Sequence, residues 1–227
     1  MLDEIKEQPH ILERLLRRFF RDDFSINCDI PLSDEEIRKI SDITVVASGS
    51  SKNVGDVAAS YFRRLLNIPV RVEFSSEFCV ENSFISKDSF VIAISQSGET
   101  TDTYEALEAA SGKTKYTLAL TNNSESRLHH ASAYQIMIEA DKEKSIAATK
   151  TVTAQLLCLM AFGLFFASKL GVDKLSIKKT ISELKKLPEG IETILENCGD
   201  IQKIAENINN SSGILFVSKG SCVNALR

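Results

Sequence analysis

The sequence is poor in the residues that build metal and redox sites. Its five cysteines (Cys28, Cys79, Cys158, Cys198 and Cys222) are scattered, with no C-x-x-C pair, and it has only three histidines. Dedicated metal sites draw on closely spaced Cys and His ligands, so no metal is expected. The cysteines read as reduced thiols and the location as cytoplasmic. Charge of one sign is also scarce. The formal net charge is −4, which gives no electrostatic case for a nucleic-acid partner. Basic pairs such as Arg17-Arg18 and Lys178-Lys179 read as solvated helix faces. Long apolar runs are missing too. The longest, "LLCLMAFGLFFA" at 156–167, falls short of the roughly 20 residues that span a bilayer. It suits a buried core helix or a helix at a subunit interface, and no membrane partner is expected. The N-terminus, "MLDEIKEQPH", lacks the apolar core of a signal peptide.

What is present is a period. "ITVVAS" (43–48), "VRVEF" (70–74), "SFVIAIS" (89–95), "YTLALT" (116–121) and "YQIMIE" (134–139) are continuous apolar runs. Helix-like segments separate most of them, ending near 66 and 111. Unbroken apolar strands alternating with helices are the signature of a parallel sheet covered on both faces. Before the sheet, residues 2–20 carry helical apolar spacing, and Ser33-Asp34-Glu35-Glu36 reads as a capped helix start. After it, helices are expected over about 145–170, 174–186 and 189–208, and a further strand at "ILFVS" (214–218). "VASGSSKN" (46–53) and "VSKGSCVN" (217–224) share Val, Gly-Ser and Asn in register. Each follows an apolar strand, so a duplicated unit is inferred whose second copy has just begun at Arg227; the alternative is that any strand–glycine–helix turn looks like this.

Three of the strand ends are rich in small hydroxyl residues: Ser48–Ser51, Ser95–Thr101 and Thr121–Ser124. Open parallel sheets bind ligands at the carboxyl ends of their strands. A helix start there offers unpaired N–H groups and a partial positive charge to an anion. Gly49 and Gly98 let the backbone bend close. Capping of the helix starts is the competing reading: it suffices for any one turn taken alone, but in "SQSGETT" it accounts for two or three residues at most. Neither G-x-x-x-x-G-K-[ST] nor G-x-G-x-x-G occurs, so no nucleotide and no cofactor is expected. A small phosphorylated metabolite such as a sugar fits the hydroxyl-rich turns better. In "EKSIAATKT" (143–151), Glu143, Ser145, Thr149 and Lys150 either line a pocket or cap the long helix, and spacing alone favours the cap. His129 and His130 read as surface residues of a short polar helix.

"GSS", "SQSGETTDT" and "EKSIAATKTVTAQL", in that order and at that separation, resemble the SIS (sugar isomerase) domain over roughly residues 40–170. The opening "MLDEIKEQPHILERLL" is similar to the lead-in of the isomerase half of the glucosamine-6-phosphate synthases. The resemblance implies an α/β fold: a three-layer αβα, flavodoxin-like domain with a five-stranded parallel sheet, here with helical extensions at both ends. It implies a helical lead-in at 1–40, the SIS domain at 41–171, a helical linker at 172–210 and the start of a second, truncated SIS domain at 211–227. It implies that Ser51, Ser95, Gln96, Ser97 and Thr100 hold the phosphate of a hexose 6-phosphate, with Ser50 shaping the same turn. Ile146, Ala147, Ala148 and Lys150 would border the sugar. Ala148 stands where the synthase has serine, and the "SIAATK" form is closer to stand-alone tandem-SIS deaminases and deglycases of aminosugar phosphates. The glutaminase domain of the synthases has no counterpart, and Cys28 has none of its motif. The family's proton-moving carboxylate and imine-forming lysine belong to the second SIS copy. The expected role is therefore sugar-phosphate binding as the first half of a tandem-SIS isomerase, aminotransferase or deaminase. The alternative is a non-catalytic or regulatory sugar-phosphate module. A homo-oligomer is expected, because the family builds sites from more than one SIS unit and the 154–170 helix is apolar beyond the need of one sheet face.

Overall fold

Each of the five apolar runs forms a strand, and the strands pair only in parallel. They are β1 (Asp42–Ala47), β2 (Val70–Phe74), β3 (Ser89–Ile94), β4 (Thr117–Thr121) and β5 (Tyr134–Met137), arranged in the order β2-β1-β3-β4-β5. The register sets Val45 against Val72 and Ile92, and Ile92 against Leu118. The computed structural model describes residues 1–80 and 84–220.

Strand side chains alternate between the two faces, and here the faces differ in size. Phe90, Ile92 and Ile94 of β3 join Ile43, Val45, Leu118 and Leu120 on one face, under helices α4 (Gly49–Leu66) and α8 (Lys150–Leu170). Val91 and Ala93 point the other way and meet Ala106, Leu107 and Ala110 of α6 (Thr101–Ser111). Beside α6 lie α5 (Ser75–Val80) and α7 (Arg127–Ala131). The first face is filled by aromatic rings. Phe90 lies 5.3 Å from both Phe162 and Phe166 of α8, and Phe162 lies 5.8 Å from Phe62 of α4. Gly163 permits this approach, since a Cβ there would sit 2.6 Å from the Phe62 ring.

The N-terminal helices α1 (Leu2–Lys6), α2 (Gln8–Phe19) and α3 (Asp34–Lys39) form a further layer over α8. Ile11, Leu12, Leu15, Leu16 and Phe19, all on one face of α2, are buried in the same core as the sheet. α8 is the one described helix long and apolar enough to cross a membrane, yet 72% of its apolar stretch is buried inside the fold. Its apolar excess is taken up within the chain by α2, α3 and α4, so the helix is not itself a sign of a subunit interface.

Beyond Gly171, which ends α8 in the left-handed region (φ 84°), come α9 (Lys174–Leu184), α10 (Leu187–Glu196) and α11 (Gly199–Ile208). The single helix expected over 189–208 is two, because Asn197 leaves the helical region at φ −106°, ψ 24°. The strand expected at 214–218 does not form. Ile214, Leu215, Phe216 and Val217 are exposed and irregular. A ladder needs a neighbour for its backbone groups, and no described strand lies beside this run. Of the inferred repeat, Gly49 (φ 56°) and Gly220 (φ 65°) occupy the same register position and both are left-handed. Residues 221–227 lie outside the described residues.

Candidate functional site

In the order 2-1-3-4-5 the chain leaves β1 and β3 in opposite directions, which opens a crevice between their carboxyl ends. The turns that flank it are residues 48–51 and 95–100. Gly49 opens α4 with Ser50 and Ser51 in its first turn, and Thr100 is the residue before α6. The structure therefore brings Ser50, Ser51, Ser95, Gln96, Ser97 and Thr100 to one end of two adjacent strands.

The 95–100 turn is held mainly by its own polar groups. The Gly98 N–H donates to Ser95 Oγ at 3.1 Å and the Glu99 N–H donates to Ser97 Oγ at 3.2 Å. Ser95 Oγ lies 2.9 Å from Thr100 Oγ1 and 3.5 Å from Ser97 Oγ, so three hydroxyls cluster. Gly98 is left-handed (φ 67°), and a Cβ there would stand 2.1 Å from Ser126 Oγ and 2.7 Å from Thr121 Oγ1. From outside, Arg127 braces the turn. Its backbone N–H and guanidinium donate to the Glu99 carboxylate at 3.0 and 2.9 Å. These bonds, the backbone N–H first, hold Glu99 below the ordinary carboxylate range, which makes it a poor proton acceptor.

Helix starts preceded by Ser, Thr or Asp fall into two groups. Ser33, Ser126 and Asp173 cap α3, α7 and α9 with their side chains, and α3 has the full reciprocal box with Glu36. Ser48, Thr100 and Thr149 stand at the same position before α4, α6 and α8, and none of their side chains caps the helix. Thr100 Oγ1 turns to Ser95 instead. The two helices that start at the crevice thus keep their first N–H groups free of side-chain caps, as an anion site requires.

The 143–151 segment departs from the expected helix start. Residues 143–149 are irregular and α8 begins at Lys150. Carboxylates outside the helix decide this. Glu143 Oε1 accepts from the Thr149 N–H at 2.8 Å and from the Thr149 hydroxyl at 3.1 Å. Glu4 of α1 accepts from the backbone N–H of Lys144 and from the hydroxyl of Ser145. Those bonds, the Ser145 hydroxyl first, lower the Glu4 pKa from 4.5 to about 2. Ile146 is fully exposed, Ala147 exposed and Ala148 half-buried. Lys150, expected at the sugar, is 2% exposed and pairs with Glu7 at 2.6 Å.

Several residues at this end were not foreseen from the sequence. Arg18 of α2 donates to the Met137 carbonyl at 2.9 Å and to Glu139 at 2.6 Å. Arg14 bonds the Glu139 carbonyl and Asp141. Together they fix the backbone that leaves β5. Asn122 links three strand ends, since its N–H donates to the Gln96 carbonyl, its Nδ2 to the Asp141 carbonyl, and its Oδ1 accepts from Ala140. A cleft of ≈ 650 Å³ lies over these ends. Gln96 and Ser97 line it with Arg14, Asn122 and Glu139, whereas Ser50 and Ser51 lie outside its lining. His129 is half-buried and His130 exposed. Burial pushes the thiols of Cys28 and Cys158 far up, so neither is a nucleophile. Among the described residues no group of three or more His, Cys, Asp or Glu side chains could hold a metal ion.

Comparison with known proteins bears on the family and the fold. Residues 36–164 match the SIS domain. The glutamine–fructose-6-phosphate aminotransferase (isomerizing) of Caldanaerobacter subterraneus is 34% identical over 222 residues, 97% of this chain and 36% of the relative. That of Chlamydia pneumoniae is 36% identical over 208 residues, 91% of this chain and 32% of the relative. The chain thus spans about a third of the length of these relatives. The C-terminal domain of glucosamine-fructose-6-phosphate aminotransferase from Francisella tularensis superposes with a TM-score of 0.92 at 29% identity, covering 99% of this chain and 63% of that one. Glucosamine-6-phosphate deaminase from Thermotoga maritima shares the fold at 22% identity and a TM-score of 0.62, over 84% of this chain and 53% of that one. In sheet order, motif placement and sequence alike, this chain belongs to the SIS domain family.

Proposed function

We propose that the β1/β3 crevice binds the phosphate of a hexose 6-phosphate through Ser50, Ser51, Ser95, Gln96, Ser97 and Thr100. Ile146, Ala147 and Ala148 border the sugar, and Lys150 anchors the start of α8 beside them. The observation that carries this reading is the pair of helix starts without side-chain caps beside clustered hydroxyls. A dianion accepts hydrogen bonds only, and the crevice presents donors: hydroxyl protons and the first N–H groups of α4 and α6. The likeness to the fructose-6-phosphate aminotransferases points to a phosphorylated sugar. In this reading the chain supplies the phosphate-binding half of a tandem-SIS isomerase, aminotransferase or deaminase. The 172–210 helices act as linker and 211–227 begins the second unit. The reading carries a homo-oligomer and a cytoplasmic location with it.

One observation favours a second reading, binding without turnover. Enolisation needs a positioned base. Glu99 is occupied by Arg127, and Glu143 is bonded to Thr149. Titration calorimetry with fructose 6-phosphate tests binding. The account expects saturable heat that fructose does not reproduce and that Ser95→Ala with Ser97→Ala removes. Unchanged affinity in that double variant overturns the site. An assay of this chain for glucosamine 6-phosphate deamination separates the two readings.

A further inference from the structure

Ser51 has one partner that the crevice itself does not supply. Gln155, 104 residues away on α8, donates through Nε2 to Ser51 Oγ at 3.0 Å. Gln155 is 1% exposed, and its Oε1 finds no partner. Thr151, one turn earlier on the same helix face, is 2% exposed and its hydroxyl also finds none. A buried amide that satisfies only part of its hydrogen-bonding capacity is a net cost to folding. An apolar side chain of the same length would be the cheaper occupant, so packing does not account for Gln155.

Building on the phosphate reading above, we infer that Gln155 is a positioning residue that sets the Ser51 hydroxyl as a donor toward the bound anion. The chemistry is one of proton bookkeeping. A serine hydroxyl has one proton to give and two lone pairs to receive with. If a neighbour accepted that proton, Ser51 would face the phosphate with lone pairs and repel it. The Gln155 N–H instead fills a lone pair, which leaves the proton free for the crevice side. Donation into Ser51 also polarises its O–H, and a chain of amide, hydroxyl and anion strengthens each link. A neutral sugar hydroxyl could accept either orientation of Ser51, but a dianion accepts only one. Gln155 therefore bears on phosphate affinity while sitting out of reach of solvent.

The test compares Gln155→Met, Gln155→Leu, Ser51→Ala and the pair Ser51→Ala/Gln155→Met in the full chain. Calorimetry with fructose 6-phosphate and with inorganic phosphate reads affinity, and thermal unfolding reads stability. The expected result is a roughly tenfold loss of phosphate affinity in Gln155→Met, with an unfolding midpoint equal to or above that of the unsubstituted chain. In the Ser51→Ala background the same change should alter affinity by less than about twofold, because its effect passes through Ser51. Equal affinity in Gln155→Met and the unsubstituted chain overturns the inference, as does a full additive loss on top of Ser51→Ala. If Gln155→Leu distorts the core, Gln155→Met, unbranched and closer in shape, still decides. Failure of the unsubstituted chain to bind either probe overturns the phosphate reading itself, which is a different outcome.

Discussion

Replacing Gly98 by alanine tests whether the 95–100 turn is as tightly built as its contacts imply. Two costs add. A residue with a Cβ in the left-handed region costs about 1–2 kcal/mol. The new methyl would also stand 2.1 Å from Ser126 Oγ and 2.4 Å from Ser126 Cβ. Neither neighbour can yield freely, since Ser126 Oγ bonds the Asn123 carbonyl at 2.7 Å and caps α7 through the His129 N–H. Overpacking of this kind costs about 1–3 kcal/mol. Gly49→Ala is the internal control. It has a similar φ of 56°, yet a Cβ there would meet nothing within 4 Å, so it carries the backbone term alone. Gly98→Ala should lose roughly 3 kcal/mol, about 6–12 °C in the unfolding midpoint of a chain this size. Gly49→Ala should lose about 1 kcal/mol. Thermal and urea unfolding of both variants gives the comparison. Equal losses would refute the claim that Ser126 and Thr121 wall in the turn.

Two further outcomes follow from the packing and the charges. Gly163→Ala gains about 1 kcal/mol of helix propensity, but its methyl would meet the Phe62 ring at 2.6 Å and Tyr61 at 3.2 Å. Overlap outweighs propensity in a filled core, so urea unfolding should show a net loss of about 1–2 kcal/mol, and a gain would mean that α4 and α8 are not held at this distance. Glu4 has a folded pKa of about 2 against an ordinary 4.5. A depressed carboxylate contributes stability that is fully present above pH 4.5 and fades as pH falls toward 2. Unfolding midpoints of the unsubstituted chain and Glu4→Gln should therefore differ above pH 4.5 and converge on acidification. A difference that persists unchanged to pH 2 would show that the contacts of Glu4 with Ser145 and Lys144 do not depend on its charge.

The sheet was readable because both of its faces are covered. Val45, Val46, Ile92 and Ala93 all had to be apolar, so each strand appeared as an unbroken run, and helical spacing marked the layers between. The order of the motifs then pointed to the crevice. Signals that depend on partners far along the chain left no local trace. Nothing near Arg14 or Arg18 announces the carbonyls at and just beyond the end of β5, some 120 residues away, that they bind. "SIAAT" is compatible with a helix, but in the structure it is irregular and its ends bond the carboxylates of Glu4 and Glu143. "ILFVS" has strand composition, but composition cannot supply the neighbouring strand that a ladder needs. Capping was an open question at the level of sequence, because serine and threonine suit a cap and an anion cradle equally. In the structure Ser33 and Ser126 cap their helices, whereas Ser48 and Thr100 do not.

The most direct test of the central claim is a crystal structure of the chain soaked with fructose 6-phosphate. The account predicts the phosphorus between the two turns, with its oxygens within hydrogen-bonding distance of Ser51, Ser95, Ser97 and Thr100 and of the first N–H groups of α4 and α6. A well-ordered phosphate bound elsewhere, for example on the Arg14 side of the cleft with the two turns empty, would contradict it.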